Sequence, residues 1–101
     1  MELYQAEWCP HSHRVRQRLT ELGQNWHAHQ VAADREDRDE MERAVGTREI
    51  PTLVTDDGDT LTGTETILPF LDKTYEPRPD AKRHRARARA EVPYFEENRA
   101  G

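Results

Sequence analysis

The chain is 101 residues long, 34% hydrophobic and 35% charged, with a formal net charge of −5 and a single cysteine. That length fits one domain with a modest core, and one cysteine excludes an internal disulfide framework. Residues 1–76 carry 16 acidic against 8 basic side chains and residues 77–101 carry 7 basic against 4 acidic; the acidic body excludes phosphate-driven binding of nucleic acid.

Residues 2–6 read as a short strand that starts directly at Met1-Glu2-Leu3-Tyr4 with no signal-peptide pattern, and a reducing cytoplasm is expected. No apolar stretch approaches membrane-spanning length. Pro10 to Leu22 reads as a helix with Val15, Leu19 and Leu22 on one face, closed by Gly23. Pro10 suits the first helical turn because it has no N–H to leave unpaired, which places Cys9 at the helix amino terminus. Unpaired amides and the helix dipole favour an anionic sulfur there. A lone cysteine is also commonly a small buried hydrophobe, and that reading stands beside the chemical one.

Asn25 to Val31 alternates as a second strand, with Trp26 and Ala28 on one side and His27 and His29 on the other. Residues 34–43 are charged at nine of ten positions, so the second helix is expected to dock loosely, through Met41, Ala44 and Val45. Pro51 opens a third strand through Val54, and Asp56-Asp57-Gly58-Asp59 carries a hairpin signal leading into Thr60-Leu61-Thr62. Gly63-Thr64 starts a third helix with Ile67, Leu68, Leu71 and Tyr75 as its apolar set, Thr64 as its cap and Pro69 bending it. Pro77-Arg78-Pro79 marks a boundary between a domain over 1–76 and a basic tail over 77–101. The tail's helix from Asp80 to Glu91 is polar all round and reads as solvated, or as a contact surface anchored by Tyr94 and Phe95.

The predicted order is therefore β-α-β-α-β-β-α, an α/β arrangement with a four-stranded mixed sheet: a parallel pair around the first helix and an antiparallel hairpin at the edge. Strand, Cys-Pro at a helix start, Ile50-Pro51 opening the third strand and Gly63-Thr64-Glu65 opening the last helix together resemble the glutaredoxins and the amino-terminal, thioredoxin-fold domain of glutathione S-transferases. The likeness covers residues 1 to about 76. It implies a cis Pro51, with the backbone of Ile50 pairing to an extended thiol peptide beside Cys9. It implies Arg48 as a clamp for a ligand carboxylate, where an ordinary surface charge is the alternative. It also implies that the amides of Thr64 and Glu65 hold a γ-glutamyl carboxylate while the Glu65 side chain faces the ammonium, where a simple helix cap is the alternative.

The departures from the family pattern bear on mechanism. Ser12 replaces the second cysteine of dithiol glutaredoxins, so the expected chemistry is monothiol: Cys9 attacks a glutathionylated protein and a second thiol releases the product. The Ser12 hydroxyl is expected to hydrogen-bond the sulfur. Catalysis is assigned to Cys9, Pro10 and Ser12, and binding of glutathione or a related low-molecular-weight thiol to His11, Arg48, Ile50, Pro51, Gly63, Thr64 and Glu65. The lysine common three residues before the cysteine is Ala6 here, with Arg14 or His13 as candidate substitutes. Conjugation of hydrophobic electrophiles is not expected without an all-helical second domain.

His11 and His13 do not complete a four-coordinate metal site with Cys9, and His27 and His29 read as sheet residues, so no metal is expected. Iron–sulfur carriage and a catalytically silent transferase-like binding module are the alternatives; cluster carriers of this type usually have Gly-Phe, not Pro10-His11, after the cysteine. Expected partners are glutathionylated or disulfide-containing proteins, with no nucleic acid and no membrane, for a monomer or weak dimer.

Overall fold

Four short strands pair in the order β2-β1-β3-β4 in the computed structural model, which describes residues 1–93. Strand β1 (Glu2–Gln5) runs parallel to β2 (His27–Gln30) and antiparallel to β3 (Thr52–Val54), and β3 is antiparallel to β4 (Thr60–Thr62). Helix α1 (Pro10–Glu21) joins β1 to β2, α2 (Asp39–Val45) precedes β3, α3 (Thr64–Thr74) follows β4, and α4 (Ala81–Glu91) ends the described chain. The order β-α-β-α-β-β-α and the mixed sheet are those expected from the sequence.

The core takes in most of the apolar set that periodicity marked, with Leu68 and Tyr75 only partly buried against it. Leu3 and Leu53 come from adjacent strands, Val15, Leu19 and Leu22 from α1, and Ile67 and Leu71 from α3, all buried in one cluster. Gly23, at φ 67°, ends α1 as anticipated: its N–H reaches Thr20 O at 3.0 Å and the Gln24 N–H reaches Leu19 O at 2.9 Å. Those two bonds satisfy carbonyls that the helix end leaves open.

Four expectations are corrected. The second strand is shorter than Asn25–Val31, and Trp26 lies outside it, half-buried against the core. The charged run 34–43 is not one helix but a 3₁₀ turn (Arg35–Asp37) followed by α2, because the buried Arg38 between them donates to three backbone carbonyls, Ala32 O, Ala33 O and Arg48 O. Thr64 does not cap α3; Gly63 is the N-cap and Thr64 the first helical residue. Helix α4 is exposed over most of its surface, yet it lies against α1, with Ala88 buried. Arg85 pairs with the buried Glu21 at 3.3 Å and Gln17 reaches His84 O at 3.5 Å. Tyr94 and Phe95, considered as anchors, lie outside the described residues.

Candidate functional site

Register places the site. Thr52 lies opposite Tyr4 on one side and Thr62 on the other. The segment leaving β1, the Ile50-Pro51 step entering β3 and the Gly63 turn leaving β4 therefore share one edge of the sheet, where α1 and α3 both begin. The Ile50-Pro51 peptide is cis, as the family resemblance implied, and Pro51 O accepts the Gly63 N–H at 2.9 Å. That bond ties the third-strand entrance to the start of α3.

Cys9 is the N-cap of α1, in extended conformation (φ −82°, ψ 117°), with Pro10 beginning the helix. Its carbonyl takes the first helical bond, from His13 N at 3.0 Å. Its Sγ accepts the Ser12 amide N–H at 3.4 Å. The expected partnership of the Ser12 hydroxyl with sulfur is corrected: the backbone amide makes the contact, and the Oγ accepts Ala6 N–H at 3.5 Å instead. Ser12 is fully buried and Cys9 is 6% exposed, whereas the adjoining Trp8 is 64% exposed. His11 is exposed in the first turn.

At α3, Gly63 has φ 87°, and a Cβ there would lie 2.9 Å from Glu65 Oε1. The Glu65 carboxylate thus folds over the helix start, with the Thr64 hydroxyl donating to its Oε2 at 3.4 Å. A helix start offers amides that have no acceptor within the helix, suited to an anionic ligand group.

Arg48 is placed differently from its expected role as a ligand clamp. Its Nε donates to Glu42 Oε2 at 3.0 Å, Nη1 to Arg35 O at 3.3 Å and Glu36 O at 2.8 Å, and Nη2 to Asp39 and Glu42. Hydrogen bonding to Glu42, then to Asp39, raises its pKa further above the usual guanidinium value. A guanidinium has five N–H donors, and these five bonds engage them on the chain's own groups, so Arg48 braces α2 to the loop before β3.

Arg16 reaches the segment before Cys9, donating from Nη1 to Ala6 O at 3.3 Å and from Nη2 to Glu7 O at 3.4 Å. The signal for it was its spacing of seven residues from Cys9, two turns along one face of α1. A cavity of about 320 Å³ opens elsewhere, between Tyr4, His29 and Met41, and includes none of the predicted site residues. Tyr4 and His29 stack there with ring centroids 4.3 Å apart.

A β-α-β-α-β-β-α core with a Cys-Pro helix start and a cis proline at the same end of the sheet defines a thioredoxin-like fold. Residues 3–79 match the family model described as glutathione S-transferase, N-terminal domain, and the chain belongs to that family. Of the two families the sequence resembles, the transferase domain is thus the one matched. Solved structures agree. A glutathione S-transferase from Rhodospirillum rubrum F11 is 30% identical with a TM-score of 0.64, over 96% of this chain and 45% of that one. A possible glutathione S-transferase from Rhodopseudomonas palustris is 26% identical, TM-score 0.63, over 86% and 44%. Glutathione S-transferase 1-6 from Anopheles dirus species B, 23% identical with a TM-score of 0.66 over 79% and 38%, shares the fold. The chain thus spans less than half the length of these three proteins. Comparison with curated protein sequences gives no match.

No helix among the described residues is long and apolar enough to cross a membrane. No group of three or more His, Cys, Asp or Glu side chains among them is arranged to hold a metal ion.

Proposed function

We propose that this domain binds glutathione, or a related small thiol, and reduces mixed disulfides by a monothiol route through Cys9. The observation that carries the reading is the Ser12 N–H directed at Cys9 Sγ from the first turn of α1, which aims a donor at the sulfur that acts as nucleophile in this route. Family membership supports glutathione as the ligand, with its γ-glutamyl carboxylate at the start of α3 and its cysteine backbone along Ile50.

The exchange balances in two steps. The Cys9 thiolate attacks the glutathione sulfur of a glutathionylated protein; the sulfur–sulfur bond to the protein breaks, and the protein leaves as a thiolate that takes a proton from water. A second glutathione thiolate then attacks the glutathione sulfur held on Cys9, releasing oxidised glutathione and restoring the Cys9 thiolate. Ser12 cannot resolve the intermediate, so the second thiol comes from solution.

The test is glutathione-dependent reduction of a glutathionylated peptide by the parent and by Cys9→Ser. Loss of turnover in the variant is expected, and equal rates would sink the proposal. The low exposure of Cys9, 6%, favours a second reading, in which the domain binds glutathione without turnover. Chemical-shift changes at Thr64 and Glu65 on adding glutathione, with no peptide reduction by the parent, would favour that reading over the first.

A further inference from the structure

We propose that Arg16 is the positioning residue for Cys9, an inference that rests on the thiol-exchange reading. In the segment from Ala6 to Cys9 the side chains of Ala6 and Cys9 are buried, while Glu7 and Trp8 are exposed. Backbone bonds add to that placement, and Ala6 is their pivot. The Ala6 N–H goes to Ser12 Oγ at 3.5 Å, and Ala6 O accepts both the Cys9 N–H at 3.1 Å and Arg16 Nη1 at 3.3 Å.

Arg16 spans this loop with a planar fork. Besides the carbonyls of Ala6 and Glu7, its Nη1 donates to Gln5 Oε1, and the Gln5 amide in turn donates to Gln30 Oε1 at 3.0 Å. The guanidinium is thereby tied to two neighbouring parallel strands, and its side chain is only 13% exposed. Its ion pair with Glu7, at 3.4 Å, involves a carboxylate 75% exposed and contributes little. The carbonyl bonds fix it, and a rigid fork that is always charged suits two acceptors better than the point donor of a lysine. Because one carbonyl serves both the guanidinium and the Cys9 amide, Arg16 sets where the N-cap sits, and with it the aim of Sγ at the Ser12 N–H.

The experiment compares the parent, Arg16→Lys and Arg16→Gln by the rate of Cys9 alkylation with iodoacetamide, by KM and kcat for glutathione-dependent peptide reduction, and by melting temperature. A misplaced nucleophile costs roughly tenfold or more in rate. Arg16→Gln, too short to reach both carbonyls, is expected to alkylate about tenfold slower, with kcat reduced and the KM for glutathione unchanged. Arg16→Lys, which can serve one carbonyl, is expected to fall between the two, about two- to threefold below the parent.

Parental alkylation by a folded Arg16→Gln overturns the inference. Should that variant fail to fold, Arg16→Lys decides alone: slower alkylation at the parental melting temperature supports the role, and parental alkylation overturns it. Alkylation needs no disulfide substrate. A parent inactive in peptide reduction therefore sinks the thiol-exchange reading while the alkylation series still judges Arg16.

Discussion

Gly63 is constrained by a φ of 87° that side chains rarely adopt, whereas the Glu65 carboxylate that a Cβ would meet at 2.9 Å is the end of a flexible side chain and can move aside. Gly63→Ala is expected to cost about 1–3 kcal/mol in urea denaturation, from the backbone conformation. Adding Glu65→Ala is expected to recover little of that, since the strained φ remains. The start of α3 at Gly63-Thr64 was legible from the residue types and the family resemblance, although the cap falls on Gly63 and not on Thr64. The fate of Arg48 was not. Its partners Asp39 and Glu42 lie within nine residues, but a charge run does not say which carboxylates fold toward which guanidinium. Only the course of the chain through Arg38 and its three carbonyls brings them together.

Helix α1 was readable almost to the residue, because Pro10 and Gly23 punctuate it and its apolar residues repeat at helical spacing. The extent of α4 was readable as well, but its seat on α1 was not, for its one buried residue, Ala88, leaves no apolar stripe. What holds its start is polar. Arg78 N donates to Glu21 O at 2.9 Å, and the Arg78 guanidinium bonds Asp80, whose pKa falls below the ordinary carboxylate value of 3.8 chiefly through that bond. A depressed carboxylate stabilises the fold at pH above its ordinary value, and that contribution is lost as pH falls through the folded-state value. Asp80→Asn is therefore expected to lower the melting temperature near neutrality, with the gap from the parent closing in acid below 3.8. A gap that stays constant across that range would show that the Asp80 charge contributes nothing.

The fold rests on one apolar cluster between the sheet and helices α1 and α3. Leu19 is fully buried in it, and Leu19→Ala is expected to cost about 2–5 kcal/mol. Against a domain stability of about 5–15 kcal/mol, that is a large share, visible as a clear drop in the midpoint of thermal or urea unfolding. The same cluster positions the candidate site at a distance. With β1, β3 and β4 held in register, the starts of α1 and α3 come to one end of the sheet, which gathers residues more than forty positions apart.

Alternating and helical periodicities, turn residues and the Cys-Pro step were enough to set the element order, most of the core and the fold of this chain, because each depends on neighbours a few residues away. Which donor meets the Cys9 sulfur, where Arg48 and Arg16 spend their hydrogen bonds, and how a polar helix finds a seat on α1 were decided by packing. Those contacts join groups that become neighbours only once the sheet has closed, and the side chains involved can reach several acceptors until the backbone around them is fixed.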